Sequence, residues 1–287
     1  MTTVNQAGSA PSKPGMDADA FNAFELAGWE RQAPTYDGFF GRITSRLVDP
    51  LLDAGRVGPG TRVLDIATGP GYAAARAAQR GASIVGVDVA PAMIRLARQL
   101  HPGLDFRESA AEALPFDDGS FDAAISNFVI PHLGRPEQSI KEFVRILEPG
   151  GHLSLTTWDL PERARLLGVF LDAIAEAGAA PPDDVPAGPP FFRFAVEDQF
   201  AALLQSSGLA GVGVKTIAFE HHVATADELW HGFLSGTVRI SAVIVGQPEE
   251  TRQRIRAAFD RLVVECQHGD RINLPVSVKL ACGYKRV

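Results

Sequence analysis

The sequence predicts an α/β domain built on a doubly wound parallel sheet, and two observations carry that expectation. The apolar run Val63-Leu64-Asp65-Ile66 enters the turn Ala67-Thr68-Gly69-Pro70-Gly71, a short helix follows, and a second apolar run, Ile84-Val85-Gly86-Val87, ends in Asp88. Beyond it, strand-like and helix-like patterns go on alternating to Trp158, the signature of βαβ units.

Residues Phe21 to Leu51 predict helices, with apolar positions at Phe21, Phe24, Leu26, Trp29, Ile43, Leu47 and Leu51 and breaks at Pro34, Gly38 and Gly41. Strands follow at Arg62 to Ile66, Ser83 to Val87, Leu104 to Arg107, Phe121 to Phe128 and His152 to Trp158. Pro91 opens a helix, where its missing N–H costs nothing. The helix Glu137 to Leu147 stops before the turn Pro149-Gly150-Gly151. The expected division is a mobile tail over 1–20, helices and an α/β core over 21–160, a cap insertion over 161–195 and core again over 196–223. A helical cap insertion over 224–272 and a last core strand over 273–287 complete it. The two insertions are expected to stack over the carboxyl edge of the sheet, where open α/β folds bind ligands.

The chain has 287 residues, 46% hydrophobic and 21% charged, which suits one soluble globular unit with insertions. Its formal net charge of −7 argues against nucleic acid and anionic membranes as partners, since both recruit clustered Lys and Arg. No apolar run approaches the roughly 18 residues of a membrane span. The Ser/Thr/Pro/Gly-rich start lacks the layout of a signal peptide. Two cysteines, Cys266 and Cys282, support neither a disulfide framework nor a cysteine-based metal site, so a reducing cytoplasm is the simplest setting. A monomer and a homodimer are equally compatible with the sequence.

The glycine turn lets backbone approach a ligand, and an acid ending the second strand is placed to hold both hydroxyls of a ribose. A dinucleotide site would carry a third glycine where this chain has Ala74. The set Asp65, Gly69, Gly71, Asp88, Ala111-Glu112-Ala113-Leu114-Pro115-Phe116, Phe121-Asp122 and Arg145-Ile146-Leu147-Glu148-Pro149-Gly150-Gly151 is more specific. From Trp29 to Trp158 the chain resembles the class I S-adenosylmethionine-dependent methyltransferases, in particular the ubiquinone/menaquinone-biosynthesis-like small-molecule group. The resemblance implies a Rossmann-like, seven-stranded sheet with an antiparallel last strand and S-adenosyl-L-methionine as cofactor. It implies a cofactor site of Asp65, Ala67, Gly69 and Gly71 in the first loop, Asp88, Val89 and Met93 after the second strand, and Ala111 and Glu112 beside the adenine. Tyr36 and Asn127 complete that site. Two departures stand out: Ala67 replaces a customary glycine, adding one methyl to the loop, and Ala110 replaces a customary acid.

Methyl transfer requires alignment, exclusion of water and management of one proton. His132, after the fourth strand, is the first candidate base; packing against the next helix is the alternative. His222 and His231 are the others. Adjacent His221 and His222 on a strand point to opposite faces, so no metal site is expected. Trp29, Phe128, Trp158, Phe191, Phe194 and Trp230 are candidates for an apolar acceptor pocket, cap core being the plainer role. The expected function is methylation of a small apolar or aromatic metabolite on oxygen or carbon. The alternatives are a cofactor-binding enzyme with a non-methylating role, such as a cyclase, and a NAD-binding oxidoreductase.

Overall fold

The computed structural model describes residues 16–287. The chain enters through α1 (Ala18–Tyr36), where the Asp17 carboxylate accepts from the N–H groups of Asp19 and Ala20 and so satisfies two of the helix's unpaired donors. Helix therefore begins within the segment expected to be a tail; residues 1–15 of that expectation lie outside the described residues. α1 runs through Pro34; the break falls at Asp37–Phe39, at the expected Gly38, while Gly41 lies inside the next helix. α2 (Phe40–Thr44) and α3 (Val48–Ala54) follow.

The sheet is built from β1 (Arg62–Ile66), β2 (Ser83–Asp88), β3 (Asp105–Glu108), β4 (Phe121–Ser126), β5 (Leu147–Trp158), β6 (Leu209–Val223), β7 (Gln267–His268) and β8 (Arg271–Lys285). Its order is β3-β2-β1-β4-β5-β8-β6. The first five strands are parallel, and β8 inserts antiparallel between β5 and β6, so that Val278 faces both Trp158 and Ile217. This is the expected seven-stranded path, with the two-residue β7 added as a ribbon on β8. Pro149-Gly150-Gly151 does not precede the fifth strand. It forms a bulge inside it, where the register jumps from Phe121↔Leu147 to Ala123↔His152.

Successive strand residues serve opposite layers. Val63, Ala123 and Ile125 pack under α3, α4 (Tyr72–Gln79) and α5 (Pro91–Leu100). Leu64, Ile66 and Ala124 pack under α6 (Pro136–Arg145) and, past β5, α8 (Glu197–Ser206). Four further helices, α7 (Arg165–Glu176), α9 (Ala226–Leu234), α10 (Arg239–Val245) and α11 (Glu249–Val264), share an apolar cluster with Phe40, Phe128, Trp158 and the middle of β8. At its centre Phe170 stacks on Phe233 at 3.7 Å, with Phe259 and Trp230 against it. The chain turns to β2 and β3 on one side of β1 and to β5 on the far side of β4, so the crevice beyond the ends of β1 and β4 is the topological switch point of the sheet.

Candidate active site

A single cavity occupies that crevice, roofed by α1 and walled by the segments after β1, β2, β3 and β4 and by both insertions. At one end lies the β1 loop. Asp65 Oδ2 accepts from Thr68 Oγ1 at 2.6 Å and from the Ala74 N–H at 3.1 Å, which ties the loop to the start of α4. Burial pushes its carboxyl up to about 7. Asp65 thus shapes the loop from behind and does not reach the cavity, unlike the ligand role expected for it. Gly71 is also set back: its φ is +82°, and an added Cβ would come within 2.7 Å of the Phe106 ring. Gly69, at φ +53°, does border the cavity, and nothing lies within 4 Å of where its Cβ would stand. Ala67 has φ +57°, left-handed backbone that an alanine adopts only at a cost. Its departure from glycine is therefore conformational, beyond the extra methyl expected.

Asp88 closes this end. Oδ2 accepts from the Gly69 N–H and Oδ1 from the Ala90 N–H, both at 2.9 Å, and burial pushes the carboxyl up to about 6. Each oxygen keeps a free lone pair. Next to it Val89 is 43% exposed, an apolar side chain facing the cavity, with Met93 buried beside it. Ala111 and Glu112 line the neighbouring wall. The Arg145 guanidinium holds that segment by donating to the carbonyls of Leu114 and Phe116. The roof is tied down by Asn22, which donates to Glu112 Oε1 at 3.0 Å, and by Glu30, which accepts from the Ala92 N–H at 2.6 Å. Tyr36 and Trp29 descend from the same helix face and meet edge-on at 5.9 Å. Burial drives the Tyr36 hydroxyl up to about 12, so it stays protonated.

The other end is aromatic with one polar corner. Asn127 is braced, donating to the Thr44 carbonyl at 3.0 Å and accepting from Thr156 Oγ1 at 2.6 Å. Phe128, also at positive φ (+65°), packs on Trp158 at 4.4 Å. His132 lies under the Trp29 ring edge at 5.0 Å, with Phe191 at 6.1 Å, and its Nδ1 is 3.0 Å from Glu25 Oε2. Glu25 is 3% exposed, and its Oε1 has no partner among the described residues. Arg239 lines the same corner, between the rings of Phe21 and Phe191, donating to the Pro189 carbonyl at 3.1 Å.

Four expected residues stand elsewhere. His222 is exposed and bonded through Nδ1 to Asn273 Oδ1; His231 is exposed on α9, because each lies on the solvent side of its element. Trp230 is sealed in the cap core against Phe170 and Phe259 with the Arg256 guanidinium over it. Phe194 belongs to the core around Phe200 beneath the other sheet face. Conversely, Glu25 and Arg239 were not anticipated. Glu25 carried a signal: it sits four residues from Phe21 and from Trp29, and in the structure Phe21, Glu25 and Gly28 are buried on α1, where a carboxylate needs a partner. Arg239 had none, because the turn before α10 brings it in from more than a hundred residues beyond His132.

The donor set suits S-adenosylmethionine. A carboxylate with open lone pairs matches a ribose diol, the space over Gly69 admits a ligand against backbone N–H groups, and exposed Val89 offers a face to a flat ring. A family model described as a methyltransferase domain matches residues 64–155. The chain is 31% identical over 174 residues to the demethylmenaquinone methyltransferase of Beutenbergia cavernae, spanning 58% of this chain and 72% of that one. Its similarity to the enzymes of the same name from Chlorobaculum tepidum (34% identity) and Renibacterium salmoninarum (32%) covers 50% and 44% of this chain, and 63% and 54% of theirs. Among solved structures, the YcgJ protein of Bacillus subtilis superposes with a TM-score of 0.56 at 20% identity, over 84% of this chain and 99% of that one. Motifs, sheet order and relatives agree: the chain belongs to the class I S-adenosylmethionine-dependent methyltransferases.

Proposed function

We propose that the protein methylates a small apolar or aromatic metabolite, on oxygen or carbon, with S-adenosylmethionine as donor. The observation that carries this is the continuity of one cavity from the Asp88–Gly69 end to the wall of Trp29, Phe128, Trp158 and Phe191. The relatives named for demethylmenaquinone, an apolar quinone, fit the apolar wall. When bound, S-adenosylmethionine supplies a methyl group made electrophilic by a sulfonium. Asp88 would hold the ribose hydroxyls, the Ala67–Gly69 backbone the amino-acid part, and Val89, Met93 and Ala111 the adenine. Tyr36 and Trp29 present aromatic faces that attract a positive charge. The acceptor wall aligns the nucleophile, a contribution of about 7–11 kcal/mol in well-oriented systems. The α1 roof excludes water. His132 takes the acceptor's proton.

Titration calorimetry tests the cofactor: S-adenosylhomocysteine is expected to bind and NAD is not, and the reverse result ends the proposal. Product mass separates methylation from a non-methylating role, since transfer adds one methyl and releases S-adenosylhomocysteine. His132→Ala is expected to lower turnover about 10²-fold with cofactor affinity retained. Near-normal turnover in that variant removes the base.

A further inference from the structure

We infer that Glu25 and His132 form a carboxylate–imidazole pair that removes the proton from an aromatic hydroxyl of the acceptor, with the Arg239 guanidinium supplying positive charge at the same corner. The inference rests on the methyltransferase reading and narrows its acceptor to a phenol-like molecule.

The pair is geometric. Glu25 Oε2 and His132 Nδ1 are 3.0 Å apart, which fixes the hydrogen on Nδ1 and leaves the Nε2 lone pair free. The hydrogen bond of the His132 ring among the described residues runs through Nδ1, and His132 lines the cavity, so the Nε2 lone pair is available to a ligand. Trp29 and Phe191 both pack on the imidazole near edge-on, at 5.0 and 6.1 Å, and restrain the ring. Glu25 is unusual in its own right. It is a carboxylate buried to 3% exposure in an aromatic surround, with Oε1 unpartnered and a single hydrogen-bonding group, His132, on the other oxygen. Burying a charge so poorly satisfied is costly unless positive charge stands near it. The Arg239 guanidinium, which feels the Glu25 charge, supplies part of it, and an imidazolium at His132 adds a directly hydrogen-bonded one.

Arg239 completes the corner. It forms no ion pair among the described residues; its contacts are two proline carbonyls, at 3.1 and 3.5 Å, and the rings of Phe21 and Phe191. The other charged group lining the cavity near α1, Glu112, is occupied by Asn22. A hydroxyl lying between Nε2 and Arg239 loses its proton to Nε2. Its electron pair stays on oxygen, and the resulting anion lies near the guanidinium, while Glu25 balances the imidazolium. The aromatic lining around this corner suits the ring that carries the hydroxyl. Glu25 is thus a positioning residue acting through His132, and the sequence reading, which gave His132 alone, lacked it.

2-Naphthol tests the assignment, because it is neutral in water at neutral pH and its anion absorbs at longer wavelength. Added to protein loaded with S-adenosylhomocysteine, the bound probe is expected to ionise. In E25Q and H132Q the ratio of ionised to neutral bound probe is expected to fall at least about tenfold, one unit in the apparent pKa of the bound probe, with S-adenosylhomocysteine affinity within about twofold of wild type. In E25Q the amide can donate to Nδ1, so ¹⁵N spectra of labelled histidine are also expected to show the His132 hydrogen moving to Nε2, which simple loss of packing does not produce. A bound probe that stays neutral in the wild type, equal ionisation in E25Q, or no binding of 2-naphthol overturns the inference while leaving the function intact. Failure of S-adenosylhomocysteine itself to bind overturns both.

Discussion

The two ends of the cavity are built in different ways. The Asp88 end comes from neighbouring pieces of one βαβ unit, residues 65–93, whose geometry follows from parallel pairing of Asp65 with Gly86 and Ile66 with Val87. The His132 end is assembled from α1, the segment after β4, Phe191 and the start of α10, which are distant in sequence and meet only after folding. A site made locally carries its chemistry in a readable motif. A site made by long-range packing leaves single residues without a recognisable pattern.

The comparison is easiest to break at the cap, where an aromatic residue is either pocket or core. Trp230 is core, so Trp230→Ala is expected to cost about 3–5 kcal/mol of stability in denaturant unfolding. A loss below 1 kcal/mol would return Trp230 to the acceptor wall. At the other end, Asp88→Ala is expected to weaken S-adenosylhomocysteine binding by about 1.5–3 kcal/mol, the range for hydrogen bonds to a charged group, in a protein that still folds.

The same carboxylate has a pH signature. Its folded value is raised to about 6, above that of an exposed Asp, so it contributes stability below the unfolded value and loses it as pH rises through 6. Ribose hydroxyls donate to the ionised form, so the affinity for S-adenosylhomocysteine is expected to fall about tenfold per unit below pH 6 and to level off above pH 7. The thermal shift caused by the ligand should therefore grow from pH 5 to pH 8; a flat profile, or one shared by Asp88→Asn, removes Asp88 as the ribose group.

Smaller effects sharpen the contrast. Ala67→Gly relieves a left-handed alanine and is expected to stabilise the protein by up to about 1 kcal/mol, the lower part of the strain range, with cofactor affinity kept. His222→Ala and His231→Ala alter exposed side chains and are expected to stay within about 0.5 kcal/mol in stability, with turnover unchanged. Lost turnover in either would move the catalytic corner away from His132.

Much of the framework was legible because it depends on short-range rules. Apolar runs ending in glycine or acid placed β1 and β2 within a residue of their observed ends, and Pro91 marked the start of α5. The Pro-Gly-Gly bulge was misplaced because a register jump needs the partner strand to be seen. Asp65 was taken for a ligand group because a strand-end acid looks alike whether its side chain turns to the cavity or to its own loop; the Thr68 and Ala74 donors decide it. Phe194 and Trp230 were indistinguishable from Phe191 by composition, since apolar pocket and apolar core use the same residues.

By itself the sequence determined the doubly wound sheet, the glycine loop at Gly69 with the strand that ends in Asp88, and the family resemblance, because hydrophobic periodicity, turn chemistry and motif spacing act over a few residues. Only the tertiary structure decided that Glu25 meets His132, that Arg239 joins them, and that His222, His231, Trp230 and Phe194 stand apart. Those outcomes depend on where α1 and the cap helices dock, and docking follows from the shape of whole apolar faces.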